Sequence, residues 1–195
     1  MAIDLRMLLP ALLLLGLLVR AVWTDVQSRR ISNGLVLLGL LAGFALQGLV
    51  TPGAGLFAHP FGGLGLLRAA SGMLTGFGLL LPMYALGAMG AGDVKLMAMI
   101  GVFLGPKDAV GAMLATAVVG GVLALGVALY GRHLGRVLAN VRQLLMNGVL
   151  HAATPGGFAG EMAQTTGKLP YAVAIATGTT AYLVLTRLTG WSLWQ

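Results

Sequence analysis

The sequence lacks cysteine. It therefore has no disulfide framework, no thiolate metal site and no cysteine nucleophile, which excludes several classes of enzyme. Charge is also scarce, because charged residues make up 9% of the 195 positions and only five residues are acidic. Soluble domains carry about 25% charged residues. Composition therefore leaves no room for a sizeable soluble domain and indicates a membrane protein.

Long apolar runs are what the chain does have. Hydrophobic residues make up 58% of it, and about 20 apolar residues are needed to cross a bilayer as a helix. Runs near that length occupy residues 7–24, 35–51, 64–89, 109–130 and 169–189. A shorter run, 96–105, ends at a Gly-Pro turn signal and predicts one more helix that starts near Asp93. We predict an all-α polytopic membrane bundle of about six transmembrane helices, forming one domain over residues 1–195.

The first apolar run resembles a signal peptide only superficially. No small-residue cleavage pattern follows residues 7–23, and Asp25 and a basic stretch come next instead. We interpret this run as a retained first span.

Basic residues give the predicted orientation. The net charge is +7, but the basic residues are scattered between apolar runs and form no single face, so membrane orientation explains them better than nucleic acid binding. One side of the predicted membrane has more of them and should be cytoplasmic. It holds Arg29, Arg30, Lys95, Arg132, Arg136, Arg142 and Lys168, against Arg6, Arg68, Lys107 and Arg187 on the other side.

A cytoplasmic segment is predicted at residues 132–167. Its first part, 132–145, has apolar residues on one helical face and arginines elsewhere, which is typical of a helix lying in the headgroup layer. A role in substrate binding is the alternative. The remainder is rich in Thr, Pro and Gly and predicts a loop.

Two aspartates, Asp25 and Asp93, lie at the edges of apolar runs. In the predicted topology both fall on the cytoplasmic side, although 68 positions separate them (93 − 25). A carboxylate beside hydrocarbon is costly and often functional. Two neighbouring carboxylates can share one proton and activate water. Helix capping and ion coordination are the alternatives, and a small proton- or ion-coupled transporter using the same pair is the alternative function.

Residues near the aspartates are candidates for supporting roles. Gly90 and Gly92 remove side chains just before Asp93, so an extended peptide could approach the backbone there. Lys95 lies about 200° around a helix from Asp93 and could serve a lipid headgroup, the structure or the function. Asn33 could cap the second helix or contact substrate.

Two stretches resemble the motifs of the prepilin peptidases, which are membrane aspartic proteases with a Gly-x-Gly-Asp-x-Lys motif. They are Asp25 with Ile31-Ser32-Asn33, where the family usually has proline at the middle position, and Gly90-Ala91-Gly92-Asp93-Val94-Lys95. The resemblance continues at Lys168-Leu169-Pro170-Tyr171 near the last run. It implies catalytic roles for Asp25 and Asp93 in cutting the leader from prepilins or pseudopilins at the cytoplasmic face of the bacterial inner membrane.

The length of the chain suggests the short type of prepilin peptidase, similar to those of Flp/Tad pili. Larger members carry a cysteine-bearing insertion and an N-methyltransferase activity, and this chain has neither the cysteines nor the length for them. No cofactor and no metal are expected, because the three histidines, His59, His133 and His151, do not cluster. The expected partners are the substrate and the lipid bilayer. The oligomeric state is left open.

Overall fold

The computed structural model describes residues 5–49, 65–86, 89–130 and 171–189, and the described residues are helical apart from short connections. The predicted cytoplasmic segment at 132–167 lies outside them. The helices are α1 (Leu5–Ser28), α2 (Asn33–Leu49), α3 (Gly65–Ala85), α4 (Ala91–Leu104), α5 (Pro106–Tyr130) and α6 (Tyr171–Thr189).

Three helical segments are long and apolar enough to cross a membrane. They are Leu9–Ser28, Gly65–Ala85 and Pro106–Val127, and shorter apolar segments occupy Asn33–Gly48 and Tyr171–Thr186. The prediction of an all-α membrane bundle is confirmed. Helix α4 has 14 residues, which is about 21 Å of helix against a hydrocarbon core of about 30 Å.

Helix α4 is the centre of the bundle. Residues 96–105 are all buried, so this helix has no solvent-facing or lipid-facing stripe. A helix that is apolar on every side is one that is packed on every side. It contacts all five other described helices, with the most extensive contact to α3.

Glycines let α3 and α4 approach to backbone contact. A methyl group on Gly72 would overlap the carbonyl oxygen of Gly101, and one on Gly101 would overlap that of Gly72. Gly76 meets the Met97 carbonyl in the same way. Close approach through small residues is a main source of attraction between helices in a membrane, where hydrophobic burial contributes little.

Four helix ends meet at one end of the bundle, which we call the aspartate end: the end of α1 and the starts of α2, α4 and α6. Ile31, in the link from α1 to α2, contacts Gly92 at the start of α4. Asp25, in the last turn of α1, accepts a hydrogen bond from the start of α6, at Ala172. Helices α2, α4 and α6 therefore leave this end in the same direction.

Contacts at the opposite end agree with this direction. Gln47, near the end of α2, donates from Nε2 to the carbonyls of Val102 and Phe103 at the end of α4, both at 3.3 Å. Tyr182, in the second half of α6, donates its hydroxyl to Asp108 at the start of α5 over 2.9 Å. The bundle thus places Asp25 and Asp93 at one end and Asp108 toward the other.

Candidate active site

Asp25 is held in the last turn of α1. Its side chain is 8% exposed, and its Oδ2 accepts a hydrogen bond of 3.1 Å from the backbone N–H of Ala172 in the first turn of α6. Free N–H groups at a helix start attract negative charge. The α1 helix ends just after it, where Arg29 has a left-handed φ of 51° and donates its N–H to the Asp25 carbonyl over 2.8 Å.

Asp93 is held in the first turn of α4. The backbone N–H of Gly90 donates to its Oδ2 over 3.1 Å, and its own N–H donates to the Gly90 carbonyl over 3.1 Å. Gly90 is extended, with φ −80° and ψ 152°, so the chain enters α4 from a non-helical conformation. These reciprocal bonds fix the carboxylate at the start of the helix.

The two carboxylates interact electrostatically. Burial raises the pKa of Asp93 from 3.8 to about 6, the hydrogen bond from Gly90 opposes this rise, and the negative charge of Asp25 adds to it. Asp93 stands in the first turn of α4, outside the three segments long enough to cross a membrane. Burial and the nearby negative charge therefore favour a proton on Asp93.

The raised pKa of Asp93 has a consequence for stability. Its folded-state pKa of about 6 lies above the ordinary value of 3.8, so the stabilisation it gives is complete below the lower value and is lost as pH rises through the higher one. Asp93→Asn removes this loss and keeps an acceptor for the Gly90 N–H. We expect the melting temperature of the variant to exceed that of the wild type by about 2–4 °C near pH 8 and to match it near pH 3, below the lower value. A difference in melting temperature between the two proteins that stays the same at every pH would contradict the raised pKa of Asp93.

Lys95 and Asn33 join two helices beside the aspartates. The Lys95 ammonium donates to the Asn33 Oδ1 over 3.0 Å, which ties the first turn of α4 to the first residue of α2. Both side chains are exposed. This bond occupies the Asn33 oxygen considered above for capping, and it directs Lys95 toward α2.

Gly92 allows close contact between the stretch around Ile31 and the stretch around Asp93. A side chain there would place its Cβ 3.1 Å from the Cβ of Ile31, which is closer than ordinary packing allows. The glycine thus lets the Ile31-Ser32-Asn33 stretch lie against the start of α4. Of the six residues singled out from the sequence, all lie at the aspartate end.

Sequence reasoning missed the contribution of α6. Ala172 supports Asp25 through its backbone N–H, which no residue type reveals. The available signal was Pro170, because proline favours the start of a helix, and it follows Lys168 and Leu169 in the stretch already noted. Nothing in that stretch indicates which side chain the helix start faces.

Among the residues that the structure describes, no three His, Cys, Asp or Glu side chains gather into a metal site. The three histidines lie outside those residues. The described acidic side chains at the aspartate end are the two carboxylates, each bonded to a backbone N–H group. This set can hold and activate a water molecule by proton transfer.

Comparison with known proteins bears on this arrangement. A model of the type IV leader peptidase family, Peptidase_A24, matches residues 12–125, a stretch that contains both aspartates and both surrounding motifs. Neither curated proteins nor solved structures gave a match. Since the match spans more than half of the chain, the protein belongs to the type IV leader peptidase family and is a membrane protease.

Proposed function

We propose that the protein is an aspartic endopeptidase that removes the leader peptide from prepilin-like substrates, with Asp25 and Asp93 as its catalytic pair. The observation that carries this proposal is that the two aspartates lie at the same end of the helix bundle. The family of the chain adds that it is a leader peptidase. Asp25 is buried and bonded to the start of α6, and its charge acts on Asp93.

The chemistry needs one proton between two carboxylates. The charged carboxylate takes a proton from water as the water oxygen attacks the scissile carbonyl carbon, and the protonated carboxylate donates to the carbonyl oxygen. When the tetrahedral intermediate collapses, the C–N bond breaks, the leaving nitrogen takes the proton that the first carboxylate removed from water, and a hydroxyl proton of the intermediate returns to the second carboxylate. The acid and base roles belong to the coupled pair and are not divided between Asp25 and Asp93. No covalent intermediate is required.

The proposed site faces the cytoplasm of a bacterial inner membrane. Support comes from charge, because Arg29, Arg30 and Lys95 lie at the aspartate end and Lys and Arg concentrate on the cytoplasmic side of membrane proteins. Arg68 and Lys107, near the starts of α3 and α5, mark the opposite end. A substrate with a short basic leader and a following apolar helix would meet the aspartates where these two parts join.

Support for the chain as the short, Flp/Tad-like type is its lack of cysteine. We therefore propose proteolysis without N-methylation of the new N-terminus. Gly90 would leave room for the extended leader beside Asp93, Gly92 would let Ile31 lie against the start of α4, and the Lys95–Asn33 bond would hold α2 and α4 in register.

Leader removal is tested by producing the chain with a tagged prepilin in cells that have no leader peptidase of their own. We expect a shortened prepilin on a gel and, by mass spectrometry, a new N-terminus without a methyl group. A prepilin that stays full-length would contradict the proposal. A proton or ion flux through the chain in lipid vesicles would then favour the transporter considered from the sequence.

A further inference from the structure

An apolar groove runs between α1 and α6. Its volume is about 820 Å³. Its buried floor includes Leu18, and its open rim includes Val19 and Trp23 on α1 and Ala181 and Val184 on α6. A helix is about 10 Å across, so this volume accommodates about two turns of one.

The groove adjoins Asp25. On α1, Asp25 follows the floor residue Leu18 by seven positions, so the two point within about 20° of each other. On α6, Ala172 lies one turn before Ala176, which lines the groove. The buried Asp25–Ala172 hydrogen bond therefore lies beside the floor of the groove, although neither residue lines it.

A second groove makes a useful comparison. It lies between α2 and α3, has a volume of about 560 Å³, and includes Lys95 and Ala98 of α4. Lys95 lies about 200° around α4 from Asp93, so this groove opens on the face of α4 away from that carboxylate. Of these two grooves, the α1–α6 groove is the one whose floor lies on the same side of its helix as a member of the proposed catalytic pair.

The α6 wall has the surface of a helix-packing site. It consists of small residues, Ala176, Thr177, Thr180 and Ala181, with Val184 at its far end. The hydroxyl of Thr177 donates to the Val173 carbonyl over 2.7 Å and that of Thr180 to the Ala176 carbonyl over 2.7 Å. Small side chains with internally bonded hydroxyls allow another helix to approach closely within a membrane.

We infer that the α1–α6 groove binds the apolar helix of the substrate and so brings the cleavage junction to Asp25. The inference rests on the proposed function and adds the surface that selects the substrate. A helix seated along Leu18 and Ala176 would direct its end to the Asp25–Ala172 bond. The apolar helix would then provide the binding affinity, and the bond that is cut would lie at the end of the leader, next to this helix.

Filling the groove tests this binding surface. Ala181 lies nine positions beyond Ala172, which is about 13 Å along the helix, so Ala181→Trp blocks the groove at a distance from the chemistry. We expect a rise in KM of about tenfold for a full-length prepilin with kcat changed less than twofold, and no change for a short leader peptide that lacks the apolar helix. The matched control is Val118→Trp, on the exposed face of α5 outside the groove, with no expected effect on either substrate.

Cross-linking gives a second readout that does not depend on a bulky side chain. The chain has no cysteine, so Val184→Cys provides a single thiol in the groove and Val118→Cys provides the control. We expect a disulfide from position 184, and none from position 118, to a prepilin that carries one cysteine in its apolar helix. A groove filled by lipid or by another part of this chain would give no cross-link and an unchanged KM in Ala181→Trp. That result, with wild-type cleavage intact, would overturn the inference, whereas absent wild-type cleavage would instead overturn the proposed function.

Discussion

Asparagine in place of either Asp25 or Asp93 is expected to lower the rate of leader removal by at least about 1000-fold, because each substitution removes one half of the proton exchange. The amide oxygen introduced by Asp25→Asn could still accept the Ala172 N–H, and that introduced by Asp93→Asn could still accept the Gly90 N–H, so the bundle should fold as before. The rate is measured by following prepilin shortening with purified protein in lipid vesicles. The two single variants should be equally inactive, and the double variant should be no worse, since the carboxylates act as one unit.

A third aspartate provides the matched control for this prediction. Asp108 is also partly buried and bonded to a side chain, the Tyr182 hydroxyl at 2.9 Å, but it lies toward the opposite end of the bundle. Asp108→Asn should therefore retain leader removal within about threefold of the wild type. Processing that survives in either Asp25→Asn or Asp93→Asn would contradict the catalytic assignment.

The second large effect concerns the contact between α3 and α4. Valine at Gly72 or at Gly101 would collide with the backbone of the facing helix, which cannot move aside as a flexible side chain can. We expect each substitution to destabilise the bundle by about 3 kcal/mol or more. The measurement is the yield of monodisperse protein after extraction together with its melting temperature. Activity should fall with the folded fraction, since α4 carries Asp93.

Gly78 is the control for this substitution. It lies on the same helix as Gly72, but a side chain there would meet nothing within 4 Å. Gly78→Val changes helix propensity in the same way without the collision, so its melting temperature should stay close to that of the wild type. Equal losses in Gly72→Val and Gly78→Val would show that propensity, and not close packing, is responsible.

The sequence predicted the helices well because apolar runs of membrane length are a strong signal. It placed the end of the first span at Asp25, whereas α1 continues to Ser28. In this extension Ser28 donates to the Thr24 carbonyl over 2.7 Å, and Thr24 donates to the Arg20 carbonyl over 3.1 Å. The polar residues after the apolar run are therefore helical, and Asp25 falls inside the last turn of α1.

The two carboxylates of the candidate site could be predicted from the sequence, but the backbone hydrogen bonds that hold them could not. Asp25 and Asp93 stand out because acids are rare beside apolar runs. The hydrogen bond from Ala172 joins positions 147 apart through a backbone group, and no pattern of side chains encodes it. The glycines show the same limit, because 31 of them occur in the sequence and only the fold distinguishes the packed Gly72 from the open Gly78.

The most direct test of the account is a cross-link between the two motifs that carry the aspartates. Because the chain has no cysteine, Ile31→Cys combined with Gly92→Cys introduces one defined pair. A Cβ added at Gly92 would lie 3.1 Å from that of residue 31, so a shift of about 0.5 Å brings the pair to disulfide spacing. Mild oxidation in native membranes, read by mass spectrometry of the digested protein, should join residues 31 and 92, whereas Gly16→Cys with Gly92→Cys should stay reduced. A folded protein in which 31 and 92 remain unlinked would contradict the meeting of Asp25 and Asp93 at one end of the bundle.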